Sequence, residues 1–349
     1  MKFSVCGMTR CFIIAEAGVN HNGDIEHAHR LIDIAADAEA DAVKFQTFTA
    51  EELVSVGARR AKYQVDNEPE AVGETQFDML KRLELPREAY PQLIKHCSER
   101  GILFLSTPFE EESADFLHSL DLPLFKVSSG ELTNLPFLEY LAKKQRPMIL
   151  STGMANWLEI DAAVELVTLA GNNDISLLHC TSSYPTPVKD ANLLAMREMM
   201  ERYSCPIGYS DHTLGEIVPL ASVAMGAKVL EKHITIDRGL RGPDHLVSME
   251  PDEFKNLVYN VRQVELAMGR RDKVLMDVEV ETLAAARKSV FAKKDISTGQ
   301  LLTLDDLTCK RPGTGISPSL LQEIVGQRAL LRIPTGTQLT WSMISNDDQ

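Results

Sequence analysis

The chain has 349 residues, 44% hydrophobic and 25% charged, the proportions of a folded globular protein rather than a disordered, collagenous or coiled-coil one. Its 36 basic and 50 acidic residues leave a net charge of −14, which argues against wrapping a nucleic acid, although a local basic pocket inside an acidic shell is compatible with it. Residues 287–349 hold eight basic and six acidic residues, so the acidic surplus lies wholly on residues 1–286.

The apolar stretch from Cys11 to Ala15 is short and ends at Glu16, so it does not read as a signal peptide. No run approaches the ~20 apolar residues of a membrane span. Six cysteines, at 6, 11, 97, 180, 205 and 309, form no C-x-x-C and no His/Cys finger spacing. They read as reduced, mostly buried thiols, and the expected compartment is the cytoplasm.

Eight short apolar runs follow in order: 11–20, 42–48, 102–109, 124–130, 147–153, 175–181, 206–212 and 229–235. Between them lie helical periods, such as Ala28, Leu31, Ile32 and Ala35, then Phe116, Leu117 and Leu120, then Ile160, Val164 and Val167. Phe254, Leu257, Val258, Val261 and Val264 continue the pattern after the eighth run. Runs apolar on both faces, alternating with helices, imply a parallel sheet. Eight units in roughly 250 residues fit a (β/α)₈ TIM barrel better than an open, doubly wound sheet. The dinucleotide-binding version of that sheet also lacks its G-x-G-x-x-G after the first strand.

The connection 49–86 is too long for an ordinary turn, and its Ala61-Lys62-Tyr63-Gln64 stretch is placed to cover a substrate, as a lid would. Past residue 270 the rhythm changes. Residues 1–270 read as a catalytic barrel and 271–286 as a linker. Residues 287–349 read as a small β-rich module with strands near Ser289–Ala292 and Leu330–Ile333 and at most a short helix around Leu320, Leu321 and Ile324.

A parallel barrel opens its strand C-termini onto the catalytic face. Here those ends carry Glu16, Asn20, His21 and Asn22; Lys44 and Gln46; Ser106 and Thr107; and Lys126, Ser128, Ser129 and Glu131. Strands five to eight add Ser151 and Thr152; His179, Thr181 and Ser182; Ser210, Asp211 and His212; and Lys232 and His233. A lone Ser or Thr at a strand end is ordinarily a turn or cap. Two lysines deep in apolar strands are different, because each is costly to bury unpaired. A shared anion ringed by the hydroxyls, of the phosphate or carboxylated-phosphate kind, is the cheapest explanation. His212 and His233, ending consecutive strands, suit a transition metal with open coordination positions, the plain alternative being a hydrogen-bonded core pair; His179 reads as a third ligand or as a group supporting the ligands from behind. His27, His29, His96 and His118 fall on helices and read as ordinary surface residues.

The stretches IIAEAGVNHNGD (13–24), AVKFQT (42–47), LSTPF (105–109), FKVSSGE (125–131), ILSTGM (149–154), LLHCTSSYPTP (177–187), IGYSDHT (207–213), LEKHIT (230–235) and GPDH (242–245) together resemble the sialic acid synthases. That family comprises N-acetylneuraminate synthase and bacterial relatives for legionaminate, pseudaminate and spore-coat sugars. The tail, from Ser289 through KRPGTGI (310–316), resembles the antifreeze-like (SAF, β-clip) domain that ends these enzymes.

The resemblance implies a transferase that joins phosphoenolpyruvate to the open-chain aldehyde of an N-acylated amino sugar. Phosphate is released by C–O cleavage, with help from a divalent ion, Mn²⁺ or Mg²⁺. By motif, Lys44, Thr107, Lys126, Ser129, Ser151, Ser182 and Ser210 match phosphoenolpyruvate-binding positions, Ser182 standing where several members have Asn. His212 and His233 match metal ligands. Glu16, Gln46, Tyr184 and Asp244 match positions facing the sugar, and Glu16, Glu131 and Asp244 are candidates for proton transfer. Arg311 matches an arginine lent by the tail of the partner subunit in a domain-swapped homodimer. The Asn at position 22 and the AKYQ stretch resemble the legionaminate branch, leaving N-acetylmannosamine and 2,4-diacetamido-2,4,6-trideoxymannose both open as acceptors.

Two other classes compete. A metal-dependent aldolase using free pyruvate needs no phosphate cradle, which the lysine and hydroxyl set disfavours. A non-catalytic ice- or glycan-binding protein would leave the barrel-end polar residues idle, and eight basic residues suit an ice-binding face poorly.

Overall fold

The computed structural model describes residue 7 and residues 9–345. The chain divides into two compact units, Met1–Gly269 and Arg270–Gln349.

The first unit contains β1 (Phe12–Gly18), β2 (Ala42–Thr47), β3 (Leu103–Pro108), β4 (Phe125–Val127), β5 (Met148–Ser151), β6 (Ile175–Cys180), β7 (Ile207–Asp211) and β8 (Val229–His233). All are parallel, in the order β3-β2-β1-β8-β7-β6-β5-β4. That order leaves β3 and β4 at the two ends of the ladder and side by side, so the sheet is a nearly closed eight-stranded barrel. Helices follow the strands, and their buried faces match the helical periods of the sequence. In the helix Ile25–Asp37 the buried residues are Ala28, Leu31, Ile32 and Ala35. In Pro251–Met268 they are Phe254, Leu257, Val258 and Val261. Asp24 starts the first helix by accepting from the backbone N–H groups of Glu26 and His27, an ordinary N-cap.

Every inward side chain is two residues from the next. Phe12, Ile14, Ala42, Leu105, Leu124, Ile149, Leu178 and Val229 pack into an apolar floor inside the barrel. Gly208 is the β7 residue at this level. A Cβ there would lie 2.4 Å from the Val229 carbonyl oxygen, so only glycine fits between β6 and β8.

The 49–86 connection is not a bare loop. It folds into three short helices, Ala50–Leu53, Lys62–Asn67 and Gln76–Leu83. Val19, Phe48, Met79 and Leu83 form a separate small core beneath it.

In the second unit, strands Ser289–Ala292 and Leu307–Lys310 pair antiparallel, as do Arg328–Ala329 and Ile344–Ser345. Val290, Ala292, Ile296, Leu302, Ile324, Ile333 and Leu339 lie in its own core. The strand expected at residues 330–333 is displaced: the ladder uses Arg328–Ala329, and Ile333 makes only a single bridge to Ile296. The segment expected as linker carries a short helix, Val280–Ala286. Of the cysteines, Cys11, Cys97 and Cys180 are buried thiols, whereas Cys6 lies outside the described residues.

Candidate active site

Two residues above the apolar floor the alternation brings a second inward layer: Glu16, Lys44, Thr107, Lys126, Ser151, Cys180, Ser210 and Glu231. All are buried. Lys44 Nζ lies 2.9 Å from Glu16 and 3.6 Å from Glu231, and donates to Thr107 Oγ1 at 3.0 Å. Lys126 Nζ donates to Ser151 Oγ at 2.7 Å and lies 3.6 Å from Glu231. The Ser210 hydroxyl donates to Glu231 at 2.9 Å.

A shared bound anion was the cheapest explanation of the two buried lysines from sequence; the structure adds anions of the protein's own. Two protein carboxylates already face them, and the costly unpaired state does not arise. The two carboxylates are not equivalent. Burial alone would raise Glu231, but Lys126 and Lys44 on either side, with the Ser210 hydroxyl, hold it down at about 2. Burial raises Glu16 to about 7, against the pull of Lys44, a cation it shares with Glu231.

At the next level the cavity is walled by Gln46, Ser128, Ser129, Glu131, Ser182, Tyr184, His212, His233 and Asp244. Its volume is about 430 Å³, within the usual range for small-ligand sites. Gly153 leaves room between two of these hydroxyls. A Cβ at this position would come within 2.2 Å of Ser182 Oγ and 2.8 Å of Ser129 Oγ, so the three groups leave room for one another only with glycine there. The backbone N–H of Gly153 donates to Ser129 Oγ at 3.0 Å. Glu131 accepts from Asn134 at 2.8 Å, and Gln46 donates to Glu16 at 3.3 Å. Asp244 is raised to about 6 by burial and by the charge of Glu68.

The rings of His212 and His233 lie 5.5 Å apart, and Tyr184 packs on both, 4.2 Å from His212 and 5.8 Å from His233. Burial lowers both histidines below their ordinary value and keeps them neutral, the state a metal ligand requires. His212 Nδ1 donates to the Thr181 carbonyl at 2.8 Å, the kind of contact that orients a metal-binding imidazole. His233 Nδ1 is buried with no hydrogen-bond partner among the described residues. The pair thus fits a divalent ion. No described cluster offers three or more His, Cys, Asp or Glu ligands, so water or substrate would complete its shell.

Strand alternation separates the remaining strand-end residues. His179 points away from the cavity, 3.0 Å from the Ala191 carbonyl, and is no third ligand. Lys232 is paired with Asp211 at 2.5 Å, Ser106 bonds Thr47, and Thr152 bonds the Leu178 carbonyl, all toward the helix layer. Asn20, His21 and Asn22 are structural: Asn20 donates to the Ile234 carbonyl and Ser248, and Asn22 meets His245. The helix histidines are only half-buried, and His29 and His96 hydrogen-bond each other at 2.7 Å. Arg311 belongs to the second unit, where its Nε donates to the Ala286 carbonyl.

Glu231 escaped the sequence reading, although it stands two residues before His233 and so on the same face. Also unassigned were Val19, Leu53, Met79, Leu80, Leu83 and Phe109, an apolar wall along one side of the cavity. Tyr63 and Gln64, in the stretch expected to cover a substrate, do line the cavity, and Tyr63 stacks on Tyr184 at 4.8 Å.

Comparison with known proteins places this site in a family. Residues 31–273 match the NeuB family and residues 287–345 the SAF domain. The chain is 46% identical over 338 residues to the N,N'-diacetyllegionaminic acid synthase of Legionella pneumophila, covering 96% of this chain and 94% of that protein. It is also 46% identical over 324 residues to the enzyme of the same name from Campylobacter jejuni, covering 92% and 96%. Among solved structures, the sialic acid synthetase of Leptospira borgpetersenii, crystallised with citrate, superposes with a TM-score of 0.69 at 36% identity, over 79% of this chain and 90% of that one. A barrel with this polar interior, an SAF tail and these relatives make the chain a member of the sialic acid synthase (NeuB) family.

Proposed function

We propose that the acceptor of this synthase is 2,4-diacetamido-2,4,6-trideoxymannose and that its product is a diacetylated legionaminic acid. As a sialic acid synthase the chain condenses phosphoenolpyruvate with an acylated amino sugar and releases phosphate. The observation that carries the choice of sugar is the apolar wall of Leu53, Met79, Leu80, Leu83 and Phe109 beside the polar barrel mouth. A 6-methyl group and an extra acetamide methyl gain by burial there, whereas a 6-hydroxyl would be desolvated without a partner. The two relatives at 46% identity, both named for this product, support the same choice.

In this reading Lys44, Lys126, Thr107, Ser129, Ser151, Ser182 and Ser210 hold the phosphate and carboxylate of phosphoenolpyruvate. Gln46, Tyr184 and Asp244 face the sugar. Of Glu16, Glu131 and Asp244, burial raises Glu16 and Asp244 toward neutrality, which suits both to exchange a proton with substrate. His212 and His233 would hold Mn²⁺ or Mg²⁺. When bound, such an ion supplies Lewis acidity toward the aldehyde oxygen. The family resemblance at Arg311 supports a domain-swapped homodimer in which the partner's tail reaches the N-acyl group. The buried thiols fit a cytoplasmic setting, and among the described residues no helix is long and apolar enough to cross a membrane.

Offering both sugars in competition, with phosphoenolpyruvate and Mn²⁺, and weighing the products by mass spectrometry tests the proposal. The diacetamido product should dominate; a preference for N-acetylmannosamine would reject it. Turnover of free pyruvate without phosphate release would instead favour the aldolase.

A further inference from the structure

Three connections, after β1, β2 and β8, interlock beside the cavity. Gly23, at φ +76°, lies so close to the Arg82 carbonyl that a Cβ would approach it to 2.6 Å. Asn67 donates to the Pro243 carbonyl at 2.6 Å. At the centre lies Glu68, its side chain entirely buried. Its carboxylate meets Arg60 at 2.7 Å, Arg82 at 2.7 Å and Arg241 at 3.4 Å. Glu74 bridges Arg60 and Arg82 from the other side, at 3.1 and 2.8 Å. Arg60 also donates to the Gln64 carbonyl.

Three guanidinium groups on one dry carboxylate are an expensive way to fill space. Replacing such a set by apolar side chains of similar volume is commonly neutral or stabilising. Its worth must lie in geometry. Four of the five members come from the 49–86 connection and the fifth, Arg241, from the loop after β8. Glu68 follows Tyr63 and Gln64 by a single helical turn, and Arg241 precedes Pro243 and Asp244. All four of these flanking residues line the cavity.

We infer that Glu68 is a positioning residue for the acceptor sugar. Drawing Arg241 onto the carboxylate that already holds Arg60 and Arg82, it clamps the 49–86 connection to the loop carrying Asp244. The clamp sets the spacing between the Tyr63–Gln64 and Pro243–Asp244 walls. The phosphoenolpyruvate end, built on the barrel strands and on Ser129 and Ser182 in the turns after β4 and β6, contains no member of this cluster. The inference rests on the reading in which the sugar lies between these walls.

The test compares Arg241→Gln, Glu68→Gln, the double variant and Asp244→Asn in the full-length, metal-loaded enzyme. Arg241 is 57% exposed, so its variant keeps the fold even where Glu68→Gln does not. The clamp predicts that Arg241→Gln raises KM for the sugar about 5- to 20-fold and changes KM for phosphoenolpyruvate less than twofold. Its melting temperature should stay near wild type, and Arg241→Lys should recover part of the loss. The double variant should be no worse than Glu68→Gln. A natively folded Arg241→Gln whose sugar KM stays within twofold, or whose two KM values rise together, overturns the clamp. If Asp244→Asn alone is silent, the acceptor reading fails at Asp244 while the clamp stands on the Tyr63–Gln64 side.

Discussion

Glu231 is the residue whose placement most changes the chemistry of the site. It lies between Lys44 and Lys126, 3.6 Å from each, and stays ionised. Removing its charge leaves Lys126 without a facing carboxylate in a dry interior. Glu231→Gln should therefore cost about 3 kcal/mol of stability in phosphate-free buffer. Much of that should return with inorganic phosphate, because an added anion replaces the lost one; matched melting curves with and without phosphate measure it. At the upper level, His212→Ala or His233→Ala should abolish metal-dependent turnover while the far-UV circular dichroism is retained. Activity across a Mn²⁺ titration, compared with wild type, would expose any surviving site.

At the scale of elements, the strands impose their two-residue period on the chemistry. Val229, Glu231 and His233 share the inner face of β8, while Lys232 pairs with Asp211 outside. The loops follow another rule: they are pinned by buried neutral histidines. Burial lowers His21 to about 3 and His245 to about 4. Thr235 and Asn22 hydrogen-bond the ring of His245. Below about pH 6.5 the unfolded chain takes up protons that the folded His245 refuses, so its contribution is complete above that pH and is lost as pH falls toward 4. The stability difference between wild type and His245→Gln should shrink by about 1 kcal/mol per pH unit between pH 6.5 and 5. Urea unfolding at stepped pH measures it. Taking the difference cancels Glu16, whose raised value acts with the opposite sign in both proteins.

The whole molecule joins an acidic barrel to a small tail with its own core. Under the proposed dimer, Arg311→Ala should raise KM for the sugar several-fold and leave KM for phosphoenolpyruvate unchanged, as initial-rate kinetics with each substrate varied would show. A shift confined to phosphoenolpyruvate would remove the arginine from the acceptor end. The net charge of −14 masks the local picture, because the lysines lining the cavity are few and buried among carboxylates.

Much of this was legible in the sequence because it is local. Apolar runs of strand length, the i, i+3, i+4 faces of the helices and the lysines within strands depend on neighbours along the chain, and they led to eight strands in order. The motif-matched barrel residues Glu16, Lys44, Thr107, Lys126, Ser129, Ser151, Ser182, Ser210, His212, His233 and Asp244 also stand around one cavity. Partnership between distant segments was not legible. Whether Lys44 faced a ligand or Glu231, whether His179 turned inward, and that Glu68 would gather Arg241 from a loop 173 positions away in the numbering depend on barrel closure. Closure sets which strand faces meet, and buried charge then takes the partner that distance allows. The elements and the types of chemistry available follow from the order of residues; which charges neutralise one another follows from the closed barrel, because electrostatic pairing is a property of space and not of order along the chain.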